Sequence, residues 1–121
     1  MSFLELLMVG IGGFLGAVTR YFIGTKMNES GRFPSGTLLV NLAGSLLIGM
    51  VFGCSELSRI WTLFLASGLA GAMTTFSTLN KEIIELWRSG KKTNAVMYVL
   101  LTFFGGILLA LLGYLFTLNY V

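Results

Sequence analysis

Between Gly71 and Thr78 the chain reads Gly-Ala-Met-Thr-Thr-Phe-Ser-Thr, so four hydroxyls and a glycine fall inside a stretch that is otherwise apolar from Ile60 onward. Gly71 and the β-branched pair Thr74 and Thr75 are weak helix formers, which predicts that a spanning helix breaks close to Gly71, near the bilayer midplane. Backbone groups freed there must find partners, because each unsatisfied group in hydrocarbon costs several kcal/mol. Irregular backbone at that depth is tolerated where it lines a cavity or binds an ion. A second candidate group is Thr37, Asn41 and Ser45, whose i, i+4, i+8 spacing puts them on one helix face. Hydrogen-bond glue between helices accounts for a residue such as Ser45. Asn41 asks for more, since a carboxamide brings two N–H donors and an acceptor into hydrocarbon. Arg20, Lys81 and Glu82 are charged inside apolar segments, with Glu5 near an end, and the two cations can snorkel to the interface. What is left is a path of donors and aromatics with no carboxylate at its centre. Such a lining suits an anion.

The elements that hold these residues are membrane helices. With 121 residues, 55% of them apolar and 11% charged, and a mean hydropathy of +0.87, the chain has too little polar surface to cover a soluble globule. Histidine is absent, Cys54 is the single cysteine, and the acids are Glu5, Glu29, Glu56, Glu82 and Glu85. That argues against metal clusters, histidine-based nucleophilic catalysis and an internal disulfide, and the chain reads as no enzyme. Its basic residues sit at the ends of apolar runs rather than on one basic face, which fits membrane orientation and not nucleic acid.

Four spans are expected, at about 3–24, 36–53, 60–86 and 95–118, forming one all-α membrane domain with a broken third helix. The start, Met1-Ser2-Phe3-Leu4-Glu5, lacks the positive region of a cleaved signal. Connectors 25–35, which holds Pro34, 54–59 and 87–94 leave no room for an extramembrane domain. Trp61, Trp87, Tyr21 and Tyr120 fit interfacial belts. Small residues recur one turn apart at Gly12, Gly13 and Gly16, at Ser45, Gly49 and Gly53, and at Gly106 and Ala110. The pattern permits close helix packing, within one chain or in a dimer.

Three segments in order, Gly12-Gly13-x-x-Gly16-Ala17-x-x-Arg20-Tyr21, Gly36-Thr37-Leu38-Leu39-Val40-Asn41-Leu42-Ala43-Gly44-Ser45 and Gly68-x-x-Gly71-x-x-Thr74-Thr75-Phe76-Ser77-Thr78, resemble the Fluc (CrcB-type) fluoride channels. The resemblance covers essentially the whole chain. It implies an antiparallel, dual-topology dimer in the cell membrane, with two fluoride pores and a central structural sodium ion at the broken third helices. Carried onto this sequence, it makes Phe76 a pore phenylalanine whose positive ring edge faces fluoride, in keeping with the ring quadrupole. It makes Asn41 a donor that positions that region, has Thr37, Ser77 and Thr78 line the path, puts Arg20 at a vestibule, and matches Glu82 to the family's glutamate. Sodium would take the backbone carbonyls of Gly71 and Thr74 from both subunits.

The chain departs from the family pattern at Leu79, where a second phenylalanine is usual, and in the fourth span, where the polar track falls at Thr102, Gly106 and Ala110 and only Thr102 remains polar. Lys26, Arg32, Arg88, Lys91 and Lys92 occupy two connectors on one face, against Arg59 alone in the remaining connector. The positive-inside rule then places the termini outside, with a committed orientation. A homodimer and a heterodimer with an oppositely oriented homologue both remain open, and the charge bias favours the second. Two other readings stand beside the channel: a small multidrug-type proton-coupled exporter, which needs an embedded carboxylate, and a non-conducting assembly subunit.

Overall fold

A computed structural model describes residues 1–28 and 33–120; Glu29 and Arg32 lie outside the described residues. Four helical segments are long and apolar enough to cross a membrane, and no strand occurs among the described residues. The first, α1 (Phe3–Met27), starts in a reciprocal cap: the Glu5 N–H donates to Ser2 Oγ and the Ser2 N–H to the Glu5 carboxylate. The second, α2 (Ser35–Gly53), begins after Pro34, which has no side-chain group to cap it. The third crossing, Arg59–Arg88, is composite. It runs as α3 (Arg59–Thr62), a π-helical segment π1 (Leu63–Ala70), α4 (Gly71–Met73), a non-helical step at 74–76, and α5 (Ser77–Arg88). The fourth is α6 (Lys92–Tyr120). Between α5 and α6, Gly90 takes φ 81°. There the Lys91 N–H donates to the Leu86 carbonyl at 3.0 Å and the Gly90 N–H to the Trp87 carbonyl at 3.3 Å. This six-to-one and five-to-two pairing ends α5 and requires the left-handed residue to be glycine at little cost.

The break falls on the expected β-branched pair, Thr74 and Thr75, while Gly71, named with them, stays in the helix. Gly71 is helical, with φ −61° and ψ −41°, and its N–H donates to the Ala66 and Gly68 carbonyls. The chain leaves the helix at Thr74, where ψ swings to 153°. Propensity at Gly71 is a weak preference, worth about 1 kcal/mol, and backbone hydrogen bonds within hydrocarbon outweigh it. The helix ends instead where side chains supply replacements.

Packing follows the glycines. α1 lies against π1 so closely that a Cβ at Gly12 would strike the Phe64 carbonyl and one at Gly16 the Leu69 carbonyl. α2 lies along α6, where Gly49 meets Ala110, Gly53 meets Tyr114 and Thr117, and Gly113 meets Leu46 and Met50. These are backbone-to-backbone seams of the kind small residues allow in membranes. The apolar core is small: Leu79, Leu86, Ala95 and Tyr98 cluster, with Phe33, Leu38 and Ile83 packed on them. Phe33 meets Tyr98 edge-on, with ring centroids 5.3 Å apart. Large apolar side chains such as Phe14, Phe104, Ile107 and Phe116 point outward instead. Lipid or another chain is the natural cover for such a surface.

Candidate functional site

Asn41 comes from the middle of α2 and faces the break in the third crossing. Its Oδ1 accepts the Thr75 N–H at 2.8 Å and its Nδ2 donates to the Thr75 carbonyl at 3.2 Å. One carboxamide thus satisfies both backbone groups of the residue that leaves the helix, which is why a break in hydrocarbon is affordable here. Gly44, one turn further along α2, leaves room for the Thr74 side chain, whose Cγ2 would collide with any Cβ there. The Thr74 N–H and hydroxyl both donate to the Ala70 carbonyl, at 3.1 and 3.0 Å. Thr75 Oγ1 then receives the Thr78 N–H at 3.3 Å and restarts the helix as α5. Ser45, on the same face as Asn41, donates to the Asn41 carbonyl at 2.9 Å and stays within its own helix.

Arg20 reaches the same region from α1, its Nε donating to the Ala72 carbonyl at 3.1 Å. A cation at the end of the first helical half meets the negative pole of that segment. Arg20, Tyr21, Thr25, Asn28, Thr37, Thr75 and Thr78 line a cleft of about 250 Å³, with Gly24, Gly36 and Val40 as its apolar wall. Hydroxyl, amide and guanidinium donors therefore converge there. No carboxylate is part of that lining. Outside that lining, Glu82 accepts the Tyr98 hydroxyl at 3.2 Å and lies against the Thr37 hydroxyl. Among the described residues no three His, Cys, Asp or Glu side chains gather into a metal cluster.

The structure thus brings Arg20, Thr37, Asn41 and Thr78 together around the break, with Glu82 behind Thr37. It does not bring Phe76 or Ser77 to this cleft. Phe76 is 66% exposed on the outer flank of the chain, and Ser77 is exposed beside it. Thr102 stands elsewhere, buried on α6, and its Oγ1 is a buried side-chain oxygen without a hydrogen-bond partner among the described residues. Leu79 points inward and is 2% exposed, filling the core against Tyr98 and Ala95. Gly71 is exposed and Thr74 half-buried at the mouth of the break.

Four contributors escaped the sequence reading: Thr25 and Asn28 in the cleft lining, Ala72 through its carbonyl, and Tyr98. Asn28 and Tyr98 carry polar groups next to apolar runs, which is a detectable signal, but their partners are distant in sequence. Nothing in the sequence marks the Ala72 carbonyl. Glu5, by contrast, is tied up structurally: besides capping α1 it pairs with Arg59 at 3.2 Å.

Comparison with known proteins agrees with this architecture. Residues 7–114 match the family model described as CrcB-like protein, Camphor Resistance (CrcB). The chain is 42% identical over 113 residues to a protein of Oceanobacillus iheyensis named fluoride-specific ion channel FluC, covering 90% of this chain and 88% of that one. It is 42% identical over 109 residues to fluoride-specific ion channel FluC 1 of Geobacillus kaustophilus, covering 89% and 93%. The FluC of the archaeon Methanocaldococcus jannaschii is 38% identical over 112 residues, with 90% of each chain covered. A family match spanning nearly all of four membrane-capable helices, with relatives at this identity over nearly their whole length, leaves one conclusion: the chain belongs to the CrcB family.

Proposed function

We propose that this chain is a subunit of a fluoride-specific channel in the cell membrane, passing fluoride passively down its gradient. The observation that carries the reading is the Asn41 clamp on Thr75 beside the donor-lined Arg20 cleft, in a chain whose relatives are named fluoride-specific channels. Moving a small anion into low dielectric costs on the order of tens of kcal/mol unless its hydration is replaced. Arg20 supplies a fixed positive charge and the Thr37 and Thr78 hydroxyls supply neutral donors. Phe76, on the exposed flank, offers a ring edge to a path shared with a partner chain. Glu5, capping α1 and paired with Arg59, is not a free carboxylate at mid-membrane, so proton-coupled export has no carrier there. Fluoride efflux from vesicles loaded with fluoride and containing the purified chain tests the proposal. Efflux no faster than from empty vesicles, alone and with any oppositely oriented homologue, overturns it.

The break also supports a structural sodium ion. In an unbroken helix the Thr75 N–H would serve the Gly71 carbonyl and the Thr78 N–H the Thr74 carbonyl. Here those amides go to Asn41 Oδ1 and Thr75 Oγ1. The released carbonyls are hard oxygens suited to a hard cation. Exposed Gly71 and half-buried Thr74 would present them toward a second chain.

The partner reading is an antiparallel dimer set in membrane lipid, and specifically a heterodimer with an oppositely oriented homologue. Lys26, Arg32, Arg88, Lys91 and Lys92 stand against Arg59, and Arg59 is itself paired with Glu5. That bias commits the connectors to the inner side and the termini to the outer side. The test is labelling of single cysteines in connectors 25–35 and 87–94 in a Cys54-free background. Equal labelling from both sides, with rapid efflux from the chain alone, would show a working homodimer instead.

A further inference from the structure

Asn28, at the end of α1, makes three hydrogen bonds to the start of α2. Its Oδ1 accepts the Gly36 N–H at 2.8 Å and the Thr37 N–H at 3.2 Å, while its Nδ2 donates to Thr37 Oγ1 at 2.9 Å. Two backbone donors on one atom and a hydroxyl on the other define which end of the amide is oxygen. Pro34 stands at the N-cap of α2 without a capping side chain, and Asn28 does that work from another helix. Gly36 permits the approach, since a Cβ there would come 2.8 Å from Asn28 Oδ1. The third bond has a separate consequence. With a lone pair of Thr37 Oγ1 held by the Asn28 amide, the Thr37 hydroxyl proton is left to turn toward the Glu82 carboxylate and the Tyr98 hydroxyl beside it, or toward an anion in the cleft.

We infer that Asn28 is a positioning residue of the ion path, which caps α2 and sets the direction of the Thr37 hydroxyl in the Arg20-lined cleft. The inference rests on the channel reading above. Its experiment separates the two roles. Asn28→Asp keeps an oxygen for the Gly36 and Thr37 amides but cannot donate to Thr37 Oγ1, so α2 stays capped while the Thr37 hydroxyl loses its donor and its proton is drawn to the new carboxylate oxygen instead. Fluoride efflux from vesicles is measured for the wild type, Asn28→Asp, Thr37→Val and the double variant, and thermal unfolding is measured for the same four proteins.

Asn28→Asp should slow efflux about tenfold, the size of one lost hydrogen bond along the ion path. In the Thr37→Val background it should slow efflux no further, and the unfolding shifts of the two substitutions should be less than additive. Wild-type efflux from Asn28→Asp overturns the inference. So does an equal slowing in both backgrounds, which would mean that the new negative charge acts on the anion directly. A wild-type protein that passes no fluoride would overturn the channel reading instead. The unfolding cycle then decides the Asn28–Thr37 link by itself, with additive shifts counting against it.

Discussion

The third crossing leaves regular α-helix twice, and the two departures are handled in opposite ways. In π1 the irregularity is absorbed within the backbone: the Gly71 N–H that closes the segment reaches back to the Ala66 carbonyl, five residues earlier, and to Gly68. Its neighbour α1 contributes mainly absence, in Gly12 and Gly16, so that carbonyls of π1 approach the α1 backbone. At Thr74–Phe76 the ladder is cut, and the freed groups go to side chains of other helices, Asn41 from α2 and Arg20 from α1. A wound but self-satisfied segment builds a seam. Only the cut segment gathers chemistry.

Asn41→Leu should produce the largest effect. It strands the Thr75 N–H and carbonyl, costing about 2–4 kcal/mol at two part-buried groups, and removes donors from the path, so efflux should fall at least about a hundredfold. Efflux assays alongside denaturant unfolding of the reconstituted protein report both. Wild-type flux from a folded Asn41→Leu protein would end the claim that the cut segment is the functional one.

Phe76→Ala sharpens the comparison, because Phe76 belongs to the cut segment but leaves most of its ring uncovered by its own chain. Efflux should drop about tenfold or more on loss of the ring edge, with the unfolding midpoint of the single subunit nearly unchanged. A large stability loss with intact efflux would reassign Phe76 to packing.

Gly16→Ala tests the other departure. The added methyl meets the Leu69 carbonyl and the Met73 N–H, both backbone atoms that cannot swing aside. A loss of about 1–3 kcal/mol is expected in unfolding, while efflux per folded subunit stays near wild type. If efflux per folded subunit fell as far as in Asn41→Leu, the two departures would have to be treated as one functional unit.

The smallest effect belongs to Arg59→Ala at the entrance of the crossing. Arg59 is 68% exposed and its Glu5 partner 18%, so the pair contributes about 0–1 kcal/mol. Neither efflux nor unfolding should change measurably at ordinary salt. A marked loss of flux would mean that this end of the molecule belongs to the path as well.

Much of the architecture was legible from residues 1–121 read in order, because it rests on local properties. Apolar runs long enough to span hydrocarbon mark four crossings, the small residues mark the close seams, and the hydroxyl-rich run after Gly71 marks a crossing that is interrupted. The polar stripe on α2 singled out Asn41 for the same reason: a carboxamide in hydrocarbon must have partners.

Which residue those partners belong to was settled only by tertiary structure. Helix propensity put the break close to Gly71 and marked Gly71, Thr74 and Thr75 alike; the helix runs through Gly71 to Met73 and opens where Asn41, thirty-four positions earlier in the chain, can receive Thr75. Leu79 read as a gap in an aromatic lining, and its side chain fills the core beside Tyr98. Asn28 read as a connector residue, and it caps α2. In hydrocarbon every backbone group must be satisfied, so the sequence alone determined that a break needs replacements, while the packing of α1 and α2 against the third crossing decided where those replacements could be delivered.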